Sequence, residues 1–324
     1  MSCTPHHSTL ASPDFLISSS HFLLLFVIPI SFFGSYCILF KTSKQMKSVK
    51  FLMLNLHVWT SLSDFTMTFL GIPYILLPKM AGYTLGVIDN PKLVLYLVVT
   101  LITACATSVL IIYENRYFTL FARRTLWRKF RKPVLLFLTI LVPIIFLPPY
   151  FFIPNQNLAR DSVFEALPCL QAFAFDKKKL FVLSMTWYLP TACVTFGFVL
   201  WTLLISIFVI LTFLKLWGGS HNTNSIKTIK LHKKFALAIT VQTTFMLIIM
   251  FIPVFTILLL IFSSTHNQIL NNITLLIISF HGSSSTLVMV LVHKPYREFA
   301  LSKLRFWKSK KSANSCEQAV SVFF

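Results

Sequence analysis

Asp64 is the one carboxylate well inside a long apolar run, thirteen residues after Phe51. A carboxylate in the interior of a bilayer costs several kcal/mol unless it is paired or protonated, so Asp64 needs a partner. His281 answers that description. At 1.5 Å of rise per residue it lies about 18 Å from the basic end of its own run at His293, and Asp64 about 20 Å from the basic end of its run. His281 also heads the polar stretch His281-Gly282-Ser283-Ser284-Ser285. A buried contact among Asp64, His281 and Ser284 has two readings: glue between helices, or a relay that rearranges. A second acid–base cluster, Tyr113-Glu114-Asn115-Arg116-Tyr117, closes the third apolar run. Arg116 either pairs locally and is released toward a partner when helices separate, or anchors the helix end at lipid headgroups. Other chemistry is absent from the pattern. No two cysteines stand at Cys-x-x-Cys spacing, no His-x-x-x-His occurs, and no two carboxylates share an apolar run. Metal, redox and hydrolytic sites of the usual kinds are not written here, and neither an enzyme nor a cofactor is expected.

The elements that must position these residues are long apolar helices. Of 324 residues 56% are hydrophobic and 12% charged, half the charged share of a typical soluble domain. A bilayer core of about 30 Å takes roughly 20 apolar residues as helix. Seven runs qualify: Ile17–Phe40, Phe51–Leu77, Leu93–Tyr113, Pro133–Ile153, Leu180–Leu214, Phe235–Phe262 and Ile269–Val292. The fold class expected is an all-α membrane protein, a bundle of seven transmembrane helices. The fifth run exceeds one span, and its cytosolic end is expected to project. All 29 Lys and Arg residues fall between the runs, so the net charge of +20 is a membrane distribution and not a nucleic-acid surface. Segments on one side hold 23 of them and segments on the other hold six. The positive-inside rule puts the larger share in the cytosol, with the N-terminus outside and the C-terminus inside. No basic segment precedes the first run, and it is longer than a signal-peptide core, so it reads as the first span. Pro29, Pro73, Pro143, Pro190 and Pro253 free backbone carbonyls within runs; Pro253 serves packing or a hinge. Cys37, Cys105 and Cys193 fall within runs as packing residues, and Cys316 is cytosolic. Cys3 and Cys169 are the two cysteines expected on the oxidising side, where they pair or remain free. The sequon at Asn272 starts so close to the seventh run that glycosylation there is not counted on.

Several motifs then occur in a fixed order. Lys41 to Lys50 precede Asn55-Leu56-His57-Val58-Trp59; Glu114-Asn115-Arg116-Tyr117 follows; then come Leu167-Pro168-Cys169 and His293-Lys294-Pro295-Tyr296-Arg297-Glu298-Phe299. Over nearly the whole chain this series resembles the nematode serpentine receptors of class H. The third-run motif looks like a variant of the Glu/Asp-Arg-Tyr motif of rhodopsin-like receptors, with Asn115 inserted. Lys294-Pro295-Tyr296-Arg297 stands where those receptors carry Asn-Pro-x-x-Tyr. The resemblance implies a chemosensory receptor that binds an environmental small molecule and signals through a heterotrimeric G protein, in the plasma membrane of sensory cilia. Glu114, Asn115, Arg116, Tyr117, Pro295, Tyr296 and Arg297 would form its coupling face, on a basic surface of Arg116, Arg123, Arg124, Arg128 and Lys234. No cysteine stands at the outer end of the third run, Cys105 being too deep, so the bridge that rhodopsin-like receptors make from that run is not open to Cys169, a further reason to offer it Cys3. Residues 1–16 are expected as an outer tail, 17–293 as the membrane domain, 294–308 as an amphipathic helix on the inner leaflet, and 309–324 as disordered. The other function weighed is a transporter or ligand-gated channel. Those usually need several intramembrane ionisable groups or interrupted helices, and this chain has one Asp and a few His. The apolar outer halves of the runs suit an apolar or mixed small molecule.

Overall fold

The structure is a computed structural model that describes residues 9–43, 49–167, 176–217 and 226–303, with side chains undescribed at 226–232 and 235. Helix α1 (Pro13–Phe40) starts on Ser12, whose hydroxyl accepts the Phe15 N–H at 3.1 Å. Helix α2 (Lys50–Phe65) runs on through a wide turn at Thr66–Leu70 and stops at Gly71. Pro73, Pro78 and the glycines Gly82 and Gly86 then keep the chain extended. Strands β1 (Pro73–Ile75) and β2 (Ala81–Thr84) pair antiparallel, and β3 (Phe181–Val182) adds to the other edge of β2. The chain is mostly helical, as expected, and among the described residues the all-α expectation is amended only by this small sheet. Two of the runs read as spans contribute their ends, Pro73–Ile75 and Phe181–Val182, to the sheet, which caps one end of the bundle.

Helix α3 (Pro91–Tyr117) starts on an Asn90 cap with proline at its first position. Helix α4 (Trp127–Ile144) follows, then a single turn at Pro148–Phe151 and the short α5 (Gln156–Ala166). Helices α6 (Tyr188–Trp217) and α7 (Ile226–Phe262) are long and apolar. Part of the fifth run's surplus lies at its start, since Leu180 to Trp187 precede α6, and α6 itself, with 30 residues, still exceeds the roughly 20 that one span needs. The last run is divided. Helix α8 (Gln268–Ser279) and helix α9 (His281–Val292) meet at 41° across Phe280. Residues 294–303 form a final helix, α10.

Among the described residues four helices, α1, α3 with its continuation to Ala122, α6 and the 236–262 part of α7, are long and apolar enough to cross a membrane, and the bent pair α8/α9 taken as one span makes a fifth. The other two segments expected as spans have physical reasons for falling short. Helix α2 proper has 16 residues before its geometry widens. Helix α4 has 18 residues, and four of its first six are Arg or Lys. Two apolar clusters fill the bundle. One, near the α10 end, gathers Cys37, Met53, Tyr113, Ile205, Met289 and Tyr296. The other, under the sheet, gathers Leu16, Tyr74, Val94, Leu180 and Leu275. A layer of buried polar side chains, His57, Thr60, Ser63, Asp64, His281 and Ser283, also runs through the bundle.

Candidate functional site

The break between α8 and α9 leaves the first N–H groups of α9 without intrahelical partners, a need that every helix start shares. Asp64 meets it from α2. Its carboxylate accepts the Gly282 N–H at 3.0 Å, the Ser283 N–H at 2.6 Å and the Ser283 hydroxyl at 2.7 Å. Nδ1 of His281 lies 3.2 Å from the same carboxylate and 2.7 Å from the Ile278 carbonyl. Both side chains of the pair are fully buried. A negative group at a helix N-terminus also faces the positive end of the helix dipole. Gly282 is required for the approach, because a Cβ there would stand 2.7 Å from the Thr60 carbonyl oxygen and 2.9 Å from Asp64 Oδ1. The expected trio is corrected in one member: Ser284 donates to His281 O within its own helix at 2.9 Å. Ser283, one residue earlier and a third of a turn round the axis, is the residue turned to α2.

The Asn55-Leu56-His57-Val58-Trp59 stretch ties α2 to three neighbours. Nε2 of His57 lies 2.9 Å from Ser31 O and 3.0 Å from the Ser35 hydroxyl on α1, and its Nδ1 lies 3.2 Å from the Thr286 hydroxyl on α9. Asn55 donates to Ser108 on α3 at 2.8 Å and accepts from Trp59 at 3.2 Å.

Under the sheet lies a cavity of about 330 Å³, within the size range of small-molecule sites. Its walls come from α3, α6 and α7, with Val99, Ile102, Phe198, Trp201, Met246 and Met250 among them. Tyr83 and Phe181 line it from the sheet, and His281 lies at the far side. None of its lining residues is Asp, Glu, Lys or Arg. Two wall residues link it onward: Trp201 donates to the Thr107 hydroxyl at 2.7 Å, and Thr243 shares a hydrogen bond with Tyr113 at 2.6 Å.

At the α10 end, the carboxylate of Glu114 is fully buried. It accepts Arg131 Nε at 2.8 and 2.9 Å and Trp127 Nε1 at 2.7 Å, while Asn115 accepts a further Arg131 N–H at 3.0 Å. Local pairing of Glu114 with Arg116 is thus corrected: the described partner of Glu114 is Arg131, at the start of α4. Helix phase explains it, since residues two apart point to different sides. Arg116 is buried beside His293, so the expectation that it lies on the open basic face is corrected too. Arg123, Arg124, Arg128 and Lys234 are exposed. Tyr117 packs on Phe208 with ring centroids 5.9 Å apart. Tyr296 is fully buried and shares a hydrogen bond of 2.8 Å with Thr42, Arg297 donates to Leu291 O at 3.1 Å, and Pro295 is half-buried at the start of α10. Phe299 packs on Phe33 and Tyr36 of α1, with Lys41 Nζ 4.6 Å from its ring centroid. The structure therefore gathers the Glu114 and Asn115 side chains about Arg131, and those of Arg116 and Tyr296 against His293.

Cys3 and Cys169 both lie outside the described residues, as do 304–308 of the amphipathic segment and all of 309–324. Cys37, Cys105 and Cys193 are free thiols. Among the described residues no cluster of three His, Cys, Asp or Glu is placed to hold a metal. Asn272 is fully buried and donates to Leu10 O at 2.9 Å, which leaves no room for a glycan. Sequence reasoning did not find Arg131 or Trp127; the signal was present as aromatic and basic residues opening a helix, but nothing in spacing tied them to Glu114.

A cavity at one end of a helix bundle, a buried polar junction and a clustered Glu-Asn-Arg-Tyr motif at the other end describe an architecture. The model of the serpentine type 7TM GPCR chemoreceptor Srh family matches residues 11–306. The chain belongs to the Srh family. It is also similar to serpentine receptor class H-72 of Caenorhabditis elegans, at 25% identity over 331 aligned positions covering 99% of this chain and 94% of that one. This Srh chain is accordingly a multi-pass membrane protein of a chemoreceptor family. In that frame the start of the lysine-rich loop before Asn55 meets the His293 to Phe299 segment through two contacts among the described residues, Lys41 on Phe299 and Thr42 on Tyr296.

Proposed function

We propose that this protein is a chemosensory G-protein-coupled receptor, which takes an environmental small molecule in the cavity under the sheet and acts on a heterotrimeric G protein at the α10 end. In this reading α1, α2, α3, α4, α6, α7 and the pair α8/α9 are seven spans, with the N-terminus outside and the C-terminus in the cytosol. The plasma membrane, and sensory cilia by family likeness, is its place of action. One observation carries the reading: His281, which lines the cavity, is also the partner of Asp64 at the break in α8/α9. A molecule that shifts the cavity wall bears on the junction that holds α9 to α2, and α9 leads directly to Tyr296 and Arg297. The Glu114–Arg131 pair is the resting latch between α3 and α4 in this scheme. Exposed Arg123, Arg124 and Arg128 would meet the partner.

The test is expression with a G protein and an odorant or pheromone panel in a heterologous cell. Ligand-evoked nucleotide exchange is expected, with higher basal exchange when Glu114→Gln releases Arg131. Ligand-driven current or solute flux without exchange would instead establish the channel or transporter reading.

A further inference from the structure

The cavity is not closed on all sides, and its open side can be located. Its sheet end is lined with packed side chains. Leu76, Leu180 and Val182 are buried beneath the cap, and Leu77, Leu260 and Ile261 pack with Met80 and Trp187. Helices α6 and α7 each pack closely on other helices, α6 on α3 and α7 on α9, but touch each other little. The ring contacts between them stand toward the two ends: Trp187, just before α6, against Phe262, with centroids 5.3 Å apart, and Lys233 over the Trp217 ring at 5.1 Å. Between those ends the half-buried side chains of Phe198 and Thr202 on α6, and of Leu247 and Val254 on α7, all line the cavity. Both helices are long and apolar enough to span a membrane, so the gap between them faces lipid.

We propose that the cavity takes an uncharged, largely apolar molecule that enters from the bilayer through the gap between α6 and α7. This rests on the receptor reading for its purpose but not for its test. The lining holds no Asp, Glu, Lys or Arg, and its His281 already has Nδ1 turned to Asp64 and the Ile278 carbonyl. A ligand charge would therefore go unbalanced, which an apolar interior strongly disfavours. A modest polar function is accommodated. Thr84 and Thr191 are among the lining residues, and their hydroxyls are buried with no hydrogen-bond partner among the described residues. Rotation of either side chain toward the cavity would let an alcohol, ketone or ester oxygen satisfy it.

Cys193 makes the route measurable, since its free, half-buried thiol lies in the cavity wall. The full-length protein in lipid nanodiscs is exposed to phenylmercuric chloride or to its sulfonated, membrane-impermeant analogue. Mercuration of Cys193 is followed by peptide mass spectrometry, with Cys193→Ser as the assignment control. The uncharged reagent is expected to modify Cys193 on the order of 100-fold faster, the scale of the penalty for a charge in an apolar interior. Val254→Trp, which fills the gap, should slow that reaction while surface accessibility of other cysteines is unchanged. Comparable rates for the two reagents would mean a water-filled mouth and overturn the proposal. Failure of both, with Cys193 reactive after denaturation, would mean a sealed or lipid-plugged cavity and overturn it equally. The measurement needs neither ligand nor G protein, so a chain that fails to activate exchange still reports on the route, and a failed route leaves coupling open to its own test.

Discussion

Asp64 shows how one side chain serves two helices. Its carboxylate ends the hydrogen-bond deficit of a helix start that belongs to another part of the chain, and it has no exposed surface through which water could substitute. Asp64→Ala is expected to cost about 3–5 kcal/mol, as for removal of one partner from a buried pair, read as a lower midpoint in thermal unfolding of the purified protein. Asp64→Asn, which keeps one acceptor oxygen, should fall between. An Asp64→Asn protein with unchanged midpoint and unchanged signalling would remove any charged role. The composition of the apolar runs already singled out Asp64 and His281, because a charge there has to be accounted for. The choice of Ser283 over Ser284, and of Arg131 over Arg116, was not legible. Each depends on helix phase at a break or across two helices, which spacing along one helix does not carry.

Among the elements, the junctions around the cap repay study. His266 stands between α7 and α8 and donates from Nδ1 to Leu77 O at 2.7 Å. Burial holds its pKa below the ordinary 6.5, although the hydrogen bond to that carbonyl works the other way. The sign follows from proton binding. Above about pH 6.5 the ring is neutral in folded and unfolded chains and contributes no pH dependence. As pH falls below 6.5 the unfolded chain takes the proton first, so folded stability declines. Thermal midpoints measured between pH 7.5 and 5 should therefore fall with acid, and His266→Gln should flatten that part of the profile. A wild-type profile no steeper than that of the variant would refute the assignment. The sheet itself was hidden in the sequence because apolar strand ends and apolar helix read alike; only Gly71, Pro73 and Pro78 hinted that the second run stopped short.

For the whole molecule, the arrangement of cavity, polar layer and basic end acquires meaning only with a direction across the bilayer. The 23 Lys and Arg residues on one side against six on the other predict that direction. An epitope tag placed before Thr9 should bind antibody on intact cells, and a tag after Phe324 only after permeabilisation. Both tags staining intact cells, or both hidden, would break the assignment of seven spans with opposed termini. The polar layer also predicts where motion belongs. Helix α9 is held to α2 by Asp64 and to α1 by way of His57 and Thr286, whereas the ring contacts between α6 and α7 stand toward their ends.

The sequence by itself determined that this chain lives in a membrane, which runs are apolar enough to be helices there, and which motifs mark the Srh family. These follow from composition and charge placement, local properties that a bilayer acts on directly. The tertiary structure alone decided that two run ends leave the helices to build a capping sheet, that the last run breaks at Phe280, and that Asp64 closes that break. It also decided where the cavity lies and which flank is open. Those outcomes depend on distances between residues far apart in the chain, such as Asp64 and Ser283, and a hydrogen bond from a backbone N–H to a carboxylate 219 positions away leaves no period or spacing to read.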